Sequence, residues 1–292
     1  MESLKKHIKE CRPKLSDSSV KTYSNILSNL HKNLFKKDFD VHDFSKYQTL
    51  VMEHLKDIKY NVRKTILSAL VCVTDKDVQK KYRDLMLKDA NQYNAEQKTN
   101  TMTPEQKESW IKWDSIVEQL DQLKKKYFYV FKESKPSITD ILNLQKYVIL
   151  SCYVLIPPRR CLDYSEMKYK GYNKETENYF DKGSFTFSIY KTSKFLGKQV
   201  EKLPMTLAVL IRKWISFRPE SEYLFTDQNN KQLTSNGMTK ILNSIFGKNI
   251  SVNQLRHTYI TEKMAPLIKK IEEVAGDMGH SVQQQKLYVK ND

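Results

Sequence analysis

Between Tyr179 and Pro204 the hydrophobic pattern of this chain changes period, and that change narrows the folds open to it. In GSFTFSIY, Phe185, Phe187 and Ile189 alternate with polar residues, as in a strand with one buried face. QVEKLPM reads as the returning strand, and KTSKFLGK between them, with Gly197, Lys191, Lys194 and Lys198, makes a basic hairpin tip. Elsewhere the apolar spacing is helical. SDSSVKTYSNILSNLHKNLF puts Val20, Tyr23, Ile26, Leu27, Leu30 and Leu34 on one face, with Ser18 or Ser19 as the cap. FSKYQTLVMEHLKDI, NVRKTILSALVCVT and KDVQKKYRDLMLKDANQYN add further helices, the last with a lysine-rich polar face. The expected fold is mostly α with a small antiparallel β-sheet. It starts with an N-terminal bundle of about four helices and continues into a mixed α+β domain.

NAEQKTNTMTPEQ is polar, and Thr103 followed by Pro104 reads as a cap and the first residue of a new helix. A domain boundary is expected there, with a helical domain over 1–98, a linker over 99–106 and a larger domain over 107–292. In that larger domain, PEQKESWIKWDSIVEQLDQLKKKYF and SITDILNLQKYVILSCYVL read as helices before the hairpin. TLAVLIRKWISF, TSNGMTKILNSIF, SVNQLRHTYITEKM and PLIKKIEEVAG read as helices after it.

Charge sets the class of partner. Fifty Lys and Arg against thirty-four Asp and Glu give +16, spread along the whole chain, so a polyanion such as nucleic acid is the expected partner. Cys11, Cys72, Cys152 and Cys161 are scattered without CxxC spacing, which speaks against a zinc site or a disulfide framework. GxxxxGK[ST] and GxGxxG are both absent, so nucleotide chemistry through those loops is not expected. No apolar run approaches the roughly 18 residues of a membrane span. The opening MESLKKHIKE lacks the apolar segment of a secretory signal, so the expected location is inside a cell with no membrane partner.

Four segments can carry chemistry, and each alone has an ordinary structural reading. In PPRRCLDY, Asp163 can hold the arginine three residues before it while the fork faces outward. NQLRHTYIT sets Arg256 beside His257 on an amphipathic helix. The lysine hairpin is ordinarily a solvated turn. In GHSVQQQKLY, Ser281 and Gln284 have capping-box spacing, so a short helix should begin just after His280 and carry Tyr288 two turns on. A lone tyrosine there is ordinarily a packing residue.

Taken in order, Arg-x-x-Asp, lysine hairpin, Leu-Arg-His, Gly-His and Tyr resemble the active-site series of the tyrosine recombinases, the phage-integrase superfamily. The resemblance covers about residues 105–292, and the N-terminal bundle is similar to that family's core-binding domain. LRHTYIT and MGHS…Y are similar to its two best-known boxes. PPRR-x-x-DY is similar to integrases of eukaryotic DNA viruses and mobile elements. The resemblance implies a two-domain clamp on duplex DNA and a role for each matching residue. Tyr288 would be the nucleophile, and Arg160 and Arg256 would bind the scissile phosphate, with Arg159 the alternate to Arg160. Lys194 would protonate the leaving 5′-oxygen, with Lys191 the alternate. His280 would donate to the phosphate, and Asp163 and His257 would support.

Two positions depart from the pattern. Asn253 stands where the family usually has histidine or lysine. It can hydrogen-bond a phosphate oxygen but cannot act as a general base near neutral pH, so that role is light here or falls to His257 or water. Only four residues follow Tyr288 in the sequence, whereas many relatives continue into a helix that docks on a neighbouring subunit. Assembly through the Pro266–Ala275 region or the N-terminal bundle is the expectation here. The implied activity is site-specific recombination or integration through a 3′-phosphotyrosine, needing no cofactor, metal or ATP. The implied partners are double-stranded DNA with a specific recombination site and a homo-tetramer, met at DNA in a host nucleus or viral replication site. The rival expectations are strand relaxation of the type IB topoisomerase kind and a catalytically silent DNA-binding protein.

Overall fold

The computed structural model describes residues 2–99, 101–218 and 220–289. Internal packing divides the chain into two units, Met1–Met102 and Thr103–Asp292.

The first unit is all helical: α1 (Glu2–Cys11), α2 (Asp17–Phe35), α3 (Asp43–Lys46), α4 (Gln48–Lys56), α5 (Tyr60–Val73) and α6 (Lys76–Lys98). The charged opening is itself a helix, because Leu4 and Ile8, four apart, are buried in the bundle core. The cap of α2 is Ser16, not Ser18 or Ser19. Ser16 is the residue with extended backbone, and its hydroxyl accepts from the Ser19 N–H (3.2 Å). Val20, Leu27 and Leu30 are buried as their spacing requires. FSKYQTLVMEHLKDI is two helices, broken at Tyr47, and beside the break the Phe44 carbonyl accepts from the buried Tyr82 hydroxyl on α6 (2.9 Å). The Arg63 fork closes on buried Asp89 through two bonds (2.7 and 2.8 Å) and ties α5 to α6. Asp43, also buried, accepts from His31 (2.9 Å) and Lys37 (2.8 Å). These two partners hold its carboxyl below the usual range against the opposing effect of burial.

The second unit contains α7 (Pro104–Ser109), α8 (Trp113–Tyr127), a 3₁₀ turn (Phe128–Lys132), α9 (Ile138–Val154), α10 (Cys161–Ser165), β1 (Tyr179–Asp181), β2 (Ser184–Phe187), α11 (Ser193–Leu196) and β3 (Gln199–Lys202). It continues with α12 (Met205–Phe217), α13 (Ser235–Phe246), α14 (Val252–Tyr259), a π-helical turn (Ile260–Met264), α15 (Ala265–Asp277) and α16 (Val282–Tyr288). Thr103 and Gln106 make a reciprocal capping box at α7, with Pro104 in the first turn. The core helix is α9, which is buried on nearly every face from Leu144 to Tyr153. Its one core amide, Gln145, is satisfied by pairing with both backbone groups of Thr226 (2.9 and 3.0 Å).

The sheet has three antiparallel strands in the order β1-β2-β3, one strand more than the expected hairpin. Lys182 and Gly183, at φ 47° and 83°, form the tight turn between β1 and β2. Ile189 was expected on the buried face of a strand but is exposed. The strand stops at Phe187 because the buried Asn178 side chain accepts from the N–H groups of Ser188 and Ile189 (both 2.8 Å), so the sheet ladder does not use them. Among the described residues no helix is long and apolar enough to cross a membrane.

SVNQLRHTYITEKM and PLIKKIEEVAG, expected as two helices, form one run without a non-helical gap. Pro266 lacks an N–H, and in an α-helix its ring would crowd the carbonyl four residues back. The wider π turn at Ile260–Met264 takes up that misfit. Glu262 in this turn reaches back across the unit. It accepts from Trp110 Nε1 (3.2 Å) and from the Trp113 N–H that opens α8 (2.7 Å). A carboxylate at a helix N-terminus satisfies an otherwise unpaired donor and favours the dipole. Glu262→Ala is therefore expected to destabilise the second unit by about 2 kcal/mol, which a melting curve resolves as a fall of several degrees.

Candidate active site

Two prolines end the core helix and turn the chain outward. After α9, Pro157 and Pro158 cannot continue a helix, and Arg160 takes the N-cap of α10 with extended backbone (φ −72°, ψ 157°). Outside the helix, Arg160 cannot use the i,i+3 spacing, and Asp163 pairs with Arg159 instead (Nε to Oδ2, 3.0 Å). The expected hold of Asp163 on Arg160 is thus replaced by a hold on its neighbour. Arg159 also donates to Gln199 on β3 (3.1 Å), and its guanidinium carbon sits over the Phe187 ring, 3.7 Å from the centroid. None of the hydrogen bonds or ion pairs among the described residues uses the Arg160 guanidinium.

Arg256 arrives from α14. Its Nε donates to the Pro158 carbonyl (3.2 Å), 98 residues away in sequence. Burial pushes its pKa below the usual arginine value, and the nearby Arg160 charge pushes it in the same direction. Burial also raises the Asp163 carboxyl, although Arg159 and Arg160 oppose this. The buried Asp163 Oδ1 and Tyr153 hydroxyl have no hydrogen-bond partner among the described residues. The site therefore concentrates cations: Arg159 is bonded to Asp163 and Gln199, while Arg160 and Arg256 are near enough for their charges to oppose each other. An anion with two or more oxygens would relieve both.

Asn253 and His257 are exposed, four residues apart on the helix that carries Arg256. Lys191 and Lys194 are exposed on the segment between β2 and β3. That segment is ordered: the Tyr190 hydroxyl donates to the Gly197 carbonyl (2.6 Å), and Gly197 caps α11 at φ 67°.

His280 and Tyr288 form a second cluster. At the end of α15, the Gly279 N–H donates to Gly276 (2.9 Å) and the His280 N–H to Ala275 (3.0 Å). These are the paired bonds of a Schellman turn, with Gly279 in the left-handed conformation at φ 71°. Ser281 then caps α16, accepting from the Gln284 N–H (3.2 Å). The turn and cap bring the His280 ring to 5.7 Å from the Tyr288 ring. Tyr288 is 63% exposed. A Cβ at Gly279 would meet no neighbour, so Gly279→Ala is penalised by the left-handed backbone alone, about 1 kcal/mol. Only Ala275 of α15 is buried. The penalty should therefore appear as faster amide exchange over 280–288, with the melting temperature of the unit unchanged.

The structure thus joins Arg159, Arg160, Asp163 and Arg256, and it separately joins His280 and Tyr288. No hydrogen bond, ion pair or ring contact among the described residues links Tyr288, Lys194, Lys191, Asn253 or His257 to the arginine pair. The sequence reading missed Tyr153, Gln199 and Glu262. Tyr153 lies in an apolar helical run, and the other two act through partners far away in sequence. Among the described residues no cluster of His, Cys, Asp and Glu could hold a metal ion.

Neither a family model nor a curated protein matches the sequence. Among solved structures, the chain is similar to XerH site-specific recombinase bound to difH substrate in a pre-cleavage complex. The similarity covers 98% of this chain and 91% of that chain, at 13% identity and a TM-score of 0.42.

Proposed function

We propose that this protein is a site-specific DNA strand transferase of the tyrosine-recombinase kind. The observation that carries the reading is the meeting of Arg256 with the Pro158–Arg160 turn, where the half-buried Arg256 lies near enough to Arg160 to feel its charge and no carboxylate among the described residues is bonded to either guanidinium. Such a pair suits a phosphodiester, whose two non-bridging oxygens gain charge in the transition state. In the reaction the Tyr288 oxygen forms a bond to the phosphorus and the bond from phosphorus to the 5′-oxygen breaks. Lys194 protonates that oxygen. A 5′-hydroxyl from a partner strand then attacks the 3′-phosphotyrosine and releases Tyr288. The bond count is conserved, so neither strand transfer nor resealing requires ATP. His280 donates to the phosphate. Asn253 donates a hydrogen bond from the face it shares with His257, and the proton-accepting role falls to His257 or water.

The basic surface supports duplex DNA as substrate, held mainly through phosphates, with affinity falling steeply as salt rises. On DNA the reading implies a dimer of dimers. The exposed apolar residues Leu267, Ile268, Ile271 and Val274 of α15 support assembly through that helix. The spelling PPRR-x-x-DY supports an integrase of the eukaryotic virus or mobile-element type.

Covalent trapping tests the proposal. The protein is incubated without metal or ATP on labelled, nicked duplexes tiled across the ends of its parent element, then run on a denaturing gel. A protein–DNA adduct whose peptide maps to Tyr288 is the expected result. Two observations favour a second reading, a silent DNA-binding protein: Asn253 at the usual histidine position, and Tyr288 without a contact to the arginines among the described residues. Salt-sensitive binding with no adduct on any fragment would establish that reading in place of the first.

A further inference from the structure

Among the described residues, the most exposed large hydrophobic side chain sits beside the candidate general acid. Phe195 is 88% exposed and its neighbour Leu196 is 62% exposed, while most aromatic residues of this unit pack into its core. They lie on α11, between Lys191 and Lys194 on one side and Lys198 on the other. Lys198 is shared with Glu175 (3.6 Å). Lys191 and Lys194 make none of the ion pairs among the described residues.

The tip is built to hold Phe195 outward. The Thr192 carbonyl accepts from the N–H groups of both Phe195 and Leu196 (3.0 and 3.1 Å), and the Ser193 carbonyl accepts from Gly197 (2.8 Å). The Tyr190 hydroxyl closes the base on the Gly197 carbonyl (2.6 Å). An apolar side chain on an ordered turn, flanked in sequence by Lys191, Lys194 and Lys198, has a surface suited to an anionic partner with an apolar interior. Duplex DNA has that character, with phosphates outside and stacked bases within.

The tip is tied to the arginine cluster through the strand that follows it. Gln199 is bonded to Arg159, and Phe195 lies four residues before it, so the two Cα atoms are at most about 14 Å apart.

We infer that Phe195 is an apolar wedge that enters the base stack of the DNA whose phosphate Arg160 and Arg256 hold. Leu196 packs beside it, Lys191 holds a flanking phosphate, and Lys194 stays at the leaving oxygen. The wedge opens a base step next to the cleaved bond and so frees the strand end that must move to its new partner. This assignment rests on the DNA strand-transfer reading proposed above.

The test compares the wild-type protein with Phe195→Ala and Phe195→Leu on duplexes carrying 2-aminopurine at successive positions around the trapped phosphate. If no fragment traps, the same probes are placed in a duplex of arbitrary sequence at low salt. Wild-type binding should raise 2-aminopurine fluorescence at one step. Phe195→Ala should abolish that rise, and Phe195→Leu should keep most of it. Adduct formation by Phe195→Ala should be about 10- to 100-fold slower on intact duplex. On a duplex with a mismatch at the opened step, the loss should shrink to about threefold, because the mismatch supplies the unstacking. Unchanged fluorescence in Phe195→Ala, or an equal loss of rate on intact and mismatched duplexes, would overturn the wedge. The fluorescence arm reads binding alone, so it decides the wedge even if the wild-type protein never forms an adduct. The absence of an adduct would instead count against the strand-transfer reading.

Discussion

Tyr288→Phe is expected to eliminate the covalent DNA adduct, a loss of at least about 10⁴-fold in cleavage. The phenylalanine keeps the ring that lies 5.7 Å from His280 but has no oxygen to form the phosphodiester. Because Tyr288 is 63% exposed and makes no hydrogen bond among the described residues, the variant should fold and melt as the wild type does. DNA affinity should also hold, since the phosphate contacts are assigned to arginines and lysines. Loss of the adduct with binding intact separates a nucleophile from a packing residue. An adduct that survives in Tyr288→Phe would move the nucleophile to another side chain.

Arg256→Ala should slow cleavage by about 10²–10³-fold, the usual effect of removing one donor to a charged transition state. The accompanying change in stability is the sharper part of this prediction. A base whose pKa is lowered on folding is penalised in its charged form at neutral pH, and here burial and the nearby Arg160 both act in that direction. Removing the guanidinium relieves that penalty while losing one bond to Pro158, so stability should change by no more than about 1 kcal/mol. Activity and stability then separate, as they do where a site stores unfavourable charge for a ligand. Arg256→Lys should recover little, because an ammonium lacks the planar fork that binds two oxygens. A large loss of stability with modestly reduced cleavage would instead assign Arg256 a structural role.

These variants probe a site only part of which was legible in the sequence. The cap and turn chemistry around His280 was legible because Gly279, Ser281 and Gln284 act on their own neighbours. The place of Tyr288 at the end of a short helix follows directly from that chemistry. The partner of Asp163 was not legible. Spacing favours Arg160, but the two prolines leave Arg160 outside the helix, and the carboxylate takes Arg159 instead. The early end of β2 was equally hidden, since it depends on Asn178, ten and eleven residues away from the groups it binds.

What the sequence determined by itself was therefore periodic or local: the mostly helical fold, the change of period at the sheet, the caps at Thr103 and Ser281 and the glycine turn at Gly279. These depend on groups within about four residues of one another, whose geometry the backbone dictates. Tertiary structure alone decided which charges meet. Arg256 reaches Pro158 across 98 residues, and Glu262 reaches Trp113 across 149. No residue pattern encodes such pairings, because each is selected by how whole helices pack around a shared core.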